Sequence, residues 1–318
     1  MSTLEVRVAR KTREAEAICS YELVPVDGAA LPPFAAGAHI DVHLPNGLVR
    51  QYSLCNAPGE THRYLIAVLR DAESRGGSQA MHDDVDVGTT LTIGAPKNHF
   101  PLLAAKRTLL LAGGIGVTPI LAMAETLAGN GATFEMHYCA RAPERAAFTE
   151  RVAGSSFAGQ VHLHYDSGPA DQRLDLAALL AVPAPDTHVY VCGPQGFIDH
   201  VLDSARARGW SAGQQHVEYF GAAAVDTDGD RAFDVRLASS GRVVTIPAGR
   251  TVLKVLADEG VDIPYSCEEG VCGTCLTRVL AGVPDHRDLY QTDEERAAND
   301  QFTPCCSRAR SPLLVLDL

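Results

Sequence analysis

The spacing of apolar side chains changes rhythm three times along the chain. From Leu4 to about Pro101, short runs alternate apolar and polar residues or cluster β-branched ones: Ile40-Asp41-Val42-His43-Leu44, Val49 to Leu54, Tyr64 to Leu69 and Thr89 to Ile93. Gly, Pro and Asn separate these runs, so the pattern predicts short strands joined by tight turns, closed into a small antiparallel β-barrel. From Arg107 to about Gly221, apolar runs alternate with helical patterns. Strands are predicted at Thr108–Ala112, Phe134–Cys139, Val161–Tyr165, His188–Cys192 and His216–Phe220, which implies a parallel sheet covered by helices. The acidic stretch from Ala222 to Asp230 reads as a linker. Beyond it come strands at Phe233–Leu237 and Val243–Ile246, a helix near Thr251–Glu259, a cysteine-rich loop and a closing strand over Leu313–Leu318. The expectation is a multidomain protein: a β-barrel over 1–103, an α/β domain over 104–223, a linker over 224–231 and an α+β domain over 232–318. No internal repeat is evident.

Composition narrows the function classes. At 318 residues, 46% hydrophobic and 21% charged, the chain lies in the globular range. Its apolar tracts, such as Leu109-Leu110-Leu111-Ala112, suit buried strands and fall short of the ~20 residues that span a membrane. A net charge of −12, without a basic block, argues against nucleic acid. Nine cysteines behind an opening MSTLEV with no apolar targeting segment fit a reducing cytoplasm, where thiols serve metals and do not form structural disulfides.

The cysteines carry the most specific signal. Cys267, Cys272 and Cys275 form a C-x4-C-x2-C run, and Cys305 lies well downstream, which is the plant-type spacing for a [2Fe-2S] cluster held by four thiolates. Such a loop must turn backbone N–H groups toward the sulfurs, and Gly270 and Gly273 allow that close wrapping, while Ser266 and Thr274 add hydroxyl donors. Structural zinc usually pairs two short ligand units, and this chain has one. A disulfide framework suits small secreted chains. Cys306 beside Cys305 could serve as fourth ligand only by lengthening the spacer, so Cys305 is the expected ligand.

Two upstream segments extend the picture. Arg50-Gln51-Tyr52-Ser53-Leu54 lies on a barrel strand, with Arg50, Tyr52 and Leu54 on one face and Gln51 and Ser53 on the other. A cation, an aromatic ring and a hydroxyl so close together suit a phosphorylated flavin, and Arg75-Gly76-Gly77-Ser78 before a short helix through Met81 suits its phosphate. Taken alone, Tyr52 is more often an ordinary strand aromatic and Gly76-Gly77 an ordinary turn. Leu109 to Pro119 reads as a buried strand, a glycine-rich turn and a helix with Pro119 in its first turn, a partial match to a dinucleotide fingerprint. A second strand delivers Cys192-Gly193-Pro194 to the same sheet edge, and two such turns mark a binding crevice.

Taken in this order, the three signals resemble the phthalate dioxygenase reductase family, a branch of the ferredoxin-NADP reductase-like flavoproteins with a C-terminal ferredoxin domain. The resemblance covers essentially the whole chain. It implies that Arg50, Gln51, Tyr52 and Ser53 form the flavin motif with Ser53 near N5, and that Ala67, Val68 and Leu69 offer backbone groups to the ring edge. Gly76, Gly77 and Ser78 would take the phosphate of FMN. Gly114, Gly116 and Thr118, with Cys192, Gly193 and Pro194, would bind the nicotinamide dinucleotide. Glu218-Tyr219-Phe220-Gly221 matches the segment that sets an aromatic, Phe220, beside the flavin. From Cys267 to Ala309 the chain is similar to the vanillate O-demethylase reductase branch.

The implied activity is an NADH-dependent reductase that passes electrons through FMN and the cluster to a separate Rieske-type oxygenase. Redox chemistry would reside in the cofactors, with no side-chain general base. Family precedent favours NADH, although Arg141 and Arg145 after the second sheet strand could hold a 2′-phosphate. A monomer that binds neither nucleic acid nor membrane is expected. A stand-alone diaphorase and a cluster-based redox sensor are the alternative readings.

Overall fold

The computed structural model describes residues 3–72, 74–221 and 227–318. Its contacts divide the chain into two units, Met1–Phe220 and Gly221–Leu318.

The first unit begins with β1 (Thr3–Ala15) and β2 (Ile18–Pro25), then β3 (Ala38–His43), β4 (Val49–Ser53), β5 (Tyr64–Leu69), α1 (Gly77–Asp83), β6 (Thr90–Gly94) and the short β7 (Lys97–Asn98). Their order in the sheet is β4-β3-β6-β1-β2-β5, with β7 beside β3. The antiparallel barrel is therefore as expected, and its core gathers Val6, Val8, Tyr21, Leu23, Ile40, Val42, Ile66 and Ile93. The two end strands meet where Cys55 N donates to Leu65 O at 2.9 Å and Leu65 N donates to Asn56 Oδ1 at 2.9 Å. The long β1 was not legible as one strand, because Arg7, Arg10, Lys11, Arg13 and Glu14 interrupt the alternation that Val6 and Val8 begin.

The second half of this unit is a parallel sheet in the order β10-β9-β8-β11-β12. Its strands are β8 (Arg107–Gly113), β9 (Phe134–Ala140), β10 (Val161–Tyr165), β11 (Thr187–Cys192) and β12 (Gln215–Glu218). The helices are α2 (Val117–Gly129), α3 (Thr149–Ala153), α4 (Leu176–Leu179) and α5 (Gln195–Arg206). One face packs on α2 through Leu110, Met136, Tyr138 and Tyr190, and the other on α4 and α5 through Leu109, Leu111, Val189, Ile198 and Val201. Burial on both faces explains the near-continuous apolar runs of β8 and β11. The last strand stops at Glu218, two residues short of the expected Phe220, so Tyr219 and Phe220 leave the ladder at the sheet edge.

The second unit comprises β13 (Phe233–Leu237), β14 (Val243–Ile246), α6 (Val252–Asp258), β15 (Thr277–Ala281), β16 (Pro284–Asp285), α7 (Asp293–Ala298), β17 (Gln301–Phe302), β18 (Arg308–Ala309) and β19 (Leu313–Leu316). β13, β14 and α6 fall where the apolar pattern puts them, and Thr251 caps α6 by accepting from Lys254 N at 3.3 Å. Part of the expected linker, residues 224–226, lies outside the described residues. Its far end departs from expectation: Asp230 is buried, taking Arg287 Nη2 at 2.8 Å and Arg308 Nε at 3.2 Å. Two arginines offset the cost of burying that carboxylate, so an acidic residue expected to be solvated belongs to the C-terminal unit. Among the described residues, no helix is long and apolar enough to cross a membrane.

Candidate redox sites

In the barrel, β4 pairs with β3 so that Gln51 opposes Asp41 and Ser53 opposes His39, while Tyr52 and Arg50 oppose Ile40 and Val42. The two faces predicted for this segment are thus the observed ones. Gln51 donates to Asp41 Oδ1 at 3.1 Å, and Tyr52 packs against the barrel core. Arg50 runs against the turn before α1: a Cβ on Gly77 would come within 2.7 Å of its side chain. A side chain at position 77 would displace the Arg50 stem from this turn. Ser78 Oγ accepts from Asp71 N at 3.1 Å and fixes the turn. Arg50, Gly76, Gly77 and Ser78 are therefore brought together.

On β5, Leu65 turns its N–H and C=O toward the β4 side, and side alternates along a strand. Ala67 and Leu69 thus face the same outer edge. Val68 does not share it: its carbonyl accepts from His82 Nε2 at 2.9 Å. Of these three residues, two present backbone groups to that outer strand edge.

The sheet edge gathers the second group. Gly113 ends β8, and a 3-10 turn over Gly114–Gly116 leads into α2. A Cβ on Gly116 would fall on the Cys192 carbonyl and lie 2.6 Å from Gly193 N, so the two glycine turns touch backbone to backbone. Thr118 is buried, and its hydroxyl donates to Ile115 O at 3.1 Å, stabilising the turn from within. Pro194 precedes α5 and its carbonyl accepts from Phe197 N and Ile198 N.

Glu218 joins the two groups. It pairs with Cys192 across β11 and β12, and Ser53 Oγ donates to its Oε2 at 3.4 Å. Burial pushes the Glu218 carboxyl up to about 8, with the Ser53 hydrogen bond acting in the opposite direction. Burial, and then the neighbouring Glu218, raise the Cys192 thiol well above its ordinary value. Burial thus biases both groups toward their uncharged forms. Glu218 was not singled out as a site residue; its place directly before Tyr219 and Phe220, in the segment matched to the flavin, was the available signal. Phe220 follows it, 41% exposed.

In the C-terminal unit, Cys267 is partly exposed while Cys272, Cys275 and Cys305 are buried. Cys267 hydrogen-bonds with Cys272, and Cys305 with both Cys275 and Cys306. Cys305 is raised first by its hydrogen bond with Cys275, and Cys272 is held low by donation from Cys267. Glu269 N donates to Cys267 Sγ at 3.3 Å, and Cys272 Sγ lies 3.3 Å from Thr274 Oγ1. Ser266 Oγ is buried with no hydrogen-bond partner among the described residues. At Gly273, φ is 67° and a Cβ would run into the Tyr290 ring. Donors aimed at sulfur, an orphaned hydroxyl and a glycine cradle fit an iron-sulfur cluster. Cys306 sits against the same cradle: its sulfur lies 3.3 Å from Thr303 Oγ1, hydrogen-bonds with Cys305 and stands where a Cβ on Gly270 would fall.

Known proteins agree with this arrangement. The 2Fe-2S iron-sulfur cluster binding domain family matches residues 235–310. The chain is 56% identical over 317 residues to vanillate O-demethylase oxidoreductase from Pseudomonas putida, covering 99% of this chain and 100% of that one. It is 42% identical to phthalate dioxygenase reductase from Burkholderia cepacia, covering 99% and 97% of the two chains. A solved phthalate dioxygenase reductase, described as a modular structure for electron transfer from pyridine nucleotides to [2Fe-2S], superposes with a TM-score of 0.77 at 42% identity, covering 100% of this chain and 98% of that chain. With an antiparallel barrel, a parallel sheet and a cysteine cradle in that order, the chain belongs to the phthalate dioxygenase reductase family of oxidoreductases.

Proposed function

We propose that this chain is the NADH-dependent reductase component of a Rieske-type aromatic oxygenase, and that vanillate O-demethylase is the system it serves. Residues 1–103 form the FMN domain, 104–223 the NAD domain, 224–231 the tether and 232–318 the ferredoxin domain. When bound, the flavin converts a two-electron hydride from NADH into single electrons that the cluster can carry.

The chain's own residues supply binding and orientation. Arg50, Gly76, Gly77 and Ser78 hold the FMN phosphate, Tyr52 lies along the flavin, and the outer edge of Ala67 and Leu69 meets its ring. Gly114, Gly116 and Thr118, with Cys192, Gly193 and Pro194, let the dinucleotide approach the backbone, and Phe220 closes the crevice. Ser53 and protonated Glu218 keep the meeting point of flavin and nicotinamide polar but uncharged. Cys267, Cys272, Cys275 and Cys305 hold the cluster. Arg145 is engaged by Glu16 at 3.1 Å, which takes up one of the two cations that would favour a 2′-phosphate and supports NADH. The protein works as a cytoplasmic monomer, and the aromatic substrate binds to the partner.

The Ser53–Glu218 contact carries this reading, because it joins the barrel motif to the nucleotide edge in a chain that also holds the cysteine cradle. Anaerobic NADH addition should bleach flavin and iron-sulfur absorption together; a bound flavin that NADH leaves oxidised would overturn the scheme. NADH-driven oxygen uptake with candidate oxygenases then tests the partner. Vanillate demethylation should outpace phthalate dioxygenation, and the reverse order would reassign the partner without touching the electron path.

A further inference from the structure

His39 is 5% exposed, and its Nε2 has no hydrogen-bond partner among the described residues. A buried polar atom left unpaired in a native fold calls for a partner, whether ligand or ordered water. On β3 it stands opposite Ser53 of β4 and Lys97 of β7. Directly opposed residues of antiparallel strands project on the same face with Cβ atoms roughly 5 Å apart. The imidazole therefore flanks the hydroxyl that reaches Glu218.

Its neighbours are otherwise engaged. Asp41, two residues along on the same face, takes Lys97 Nζ at 2.6 Å and Gln51 Nε2 at 3.1 Å. The His99 ring lies 5.4 Å away, tilted by 31°, and so stacks against His39 and does not reach its Nε2. Burial, and then His99, lower the His39 imidazole to about 4, so at neutral pH the ring is uncharged, with one nitrogen donating and one accepting.

We propose that His39 is a flavin-contacting residue, its Nε2 pairing with a polar atom at the edge of the bound isoalloxazine beside Ser53. The site then draws on three strands of the barrel, β3, β4 and β5. This rests on the assignment of FMN to the barrel, and it makes a prediction with two signs. In the flavin-free protein the unpaired nitrogen weakens the fold; in the loaded protein it adds affinity.

The test uses full-length protein stripped of FMN, with His39→Leu and His39→Asn variants. FMN uptake is followed by fluorescence quenching, and thermal unfolding is measured with and without FMN. The expected result is a higher Tm for flavin-free His39→Leu together with about tenfold weaker FMN binding, and an intermediate affinity for His39→Asn. FMN affinity within twofold of wild type in His39→Leu would overturn the proposal and assign the nitrogen to water. A variant with both lower Tm and weaker binding would overturn it in favour of a packing role. Wild-type protein that fails to take up FMN would instead overturn the flavin assignment itself.

Discussion

In the C-terminal unit, Cys267, Cys272 and Cys275 sit on one loop, and Cys305 alone comes from elsewhere. In the N-terminal unit, Gly116, Cys192 and Glu218 are brought together by the pairing of β8, β11 and β12, and Ser53 reaches Glu218 from the barrel strand β4. The cradle is set by local chain conformation, with amides and hydroxyls aimed at sulfur from within a few residues. The crevice is set by packing. Damage to the first should remove a cofactor outright, whereas damage to the second should change rates and affinities by degree.

The largest effect is therefore expected in the loop. Cys272→Ala should abolish iron-sulfur absorption while NADH still bleaches the flavin. Cys305→Ser should lose the cluster too, whereas Cys306→Ser should keep it, since the plant-type spacing falls on Cys305 and Cys306 would lengthen the spacer by one residue. Visible spectra of the purified variants check this. A cluster retained in Cys305→Ser and lost in Cys306→Ser would exchange the fourth ligand.

An intermediate effect is expected where the two glycine turns touch. Gly116→Ala would push a methyl group into the Cys192 carbonyl, separating the turns by a fraction of an ångström or more. A misplacement of that size costs on the order of a hundredfold in rate. Stopped-flow flavin reduction by NADH should slow by about that factor at unchanged FMN and cluster content. A rate within threefold of wild type would mean the crevice tolerates opening, and would blur the contrast with the cradle.

The same contrast explains what the sequence made legible. The cysteine spacing, the flanking glycines and the strands β13 and β14 could be read directly, because each depends on neighbours in the chain. The sheet strands β8 and β11 were equally plain, since burial on both faces leaves apolar runs. What escaped depends on long-range contact. β1 was hidden by the charged residues that interrupt its alternation, Asp230 looked solvated until Arg287 and Arg308 closed on it, and Glu218 gains its role from Ser53, far away in sequence. The resemblance groups Val68 with Ala67 and Leu69, and only the fold shows that its carbonyl meets His82 Nε2, a residue on α1.

The smallest effect separates the units by pH. Glu218 has an ordinary carboxyl value of 4.5 when unfolded and about 8 when folded, so between those values the folded protein holds a proton that the unfolded chain releases. Its contribution to stability is then full below about pH 4.5 and is lost as pH rises through about 8. Glu218→Gln keeps a neutral partner for Ser53 at every pH and removes this dependence. Near pH 7 the variant should reduce its flavin at close to the wild-type rate, because wild-type Glu218 is already protonated. Denaturant unfolding of the N-terminal transition should show the variant gaining on wild type by on the order of a few kcal/mol as pH rises from about 5 to about 9, with no change in the C-terminal transition. Parallel pH profiles for the two proteins would mean that Glu218 is ionised in the fold, and the Ser53–Glu218 pair would then place a charge in the crevice after all.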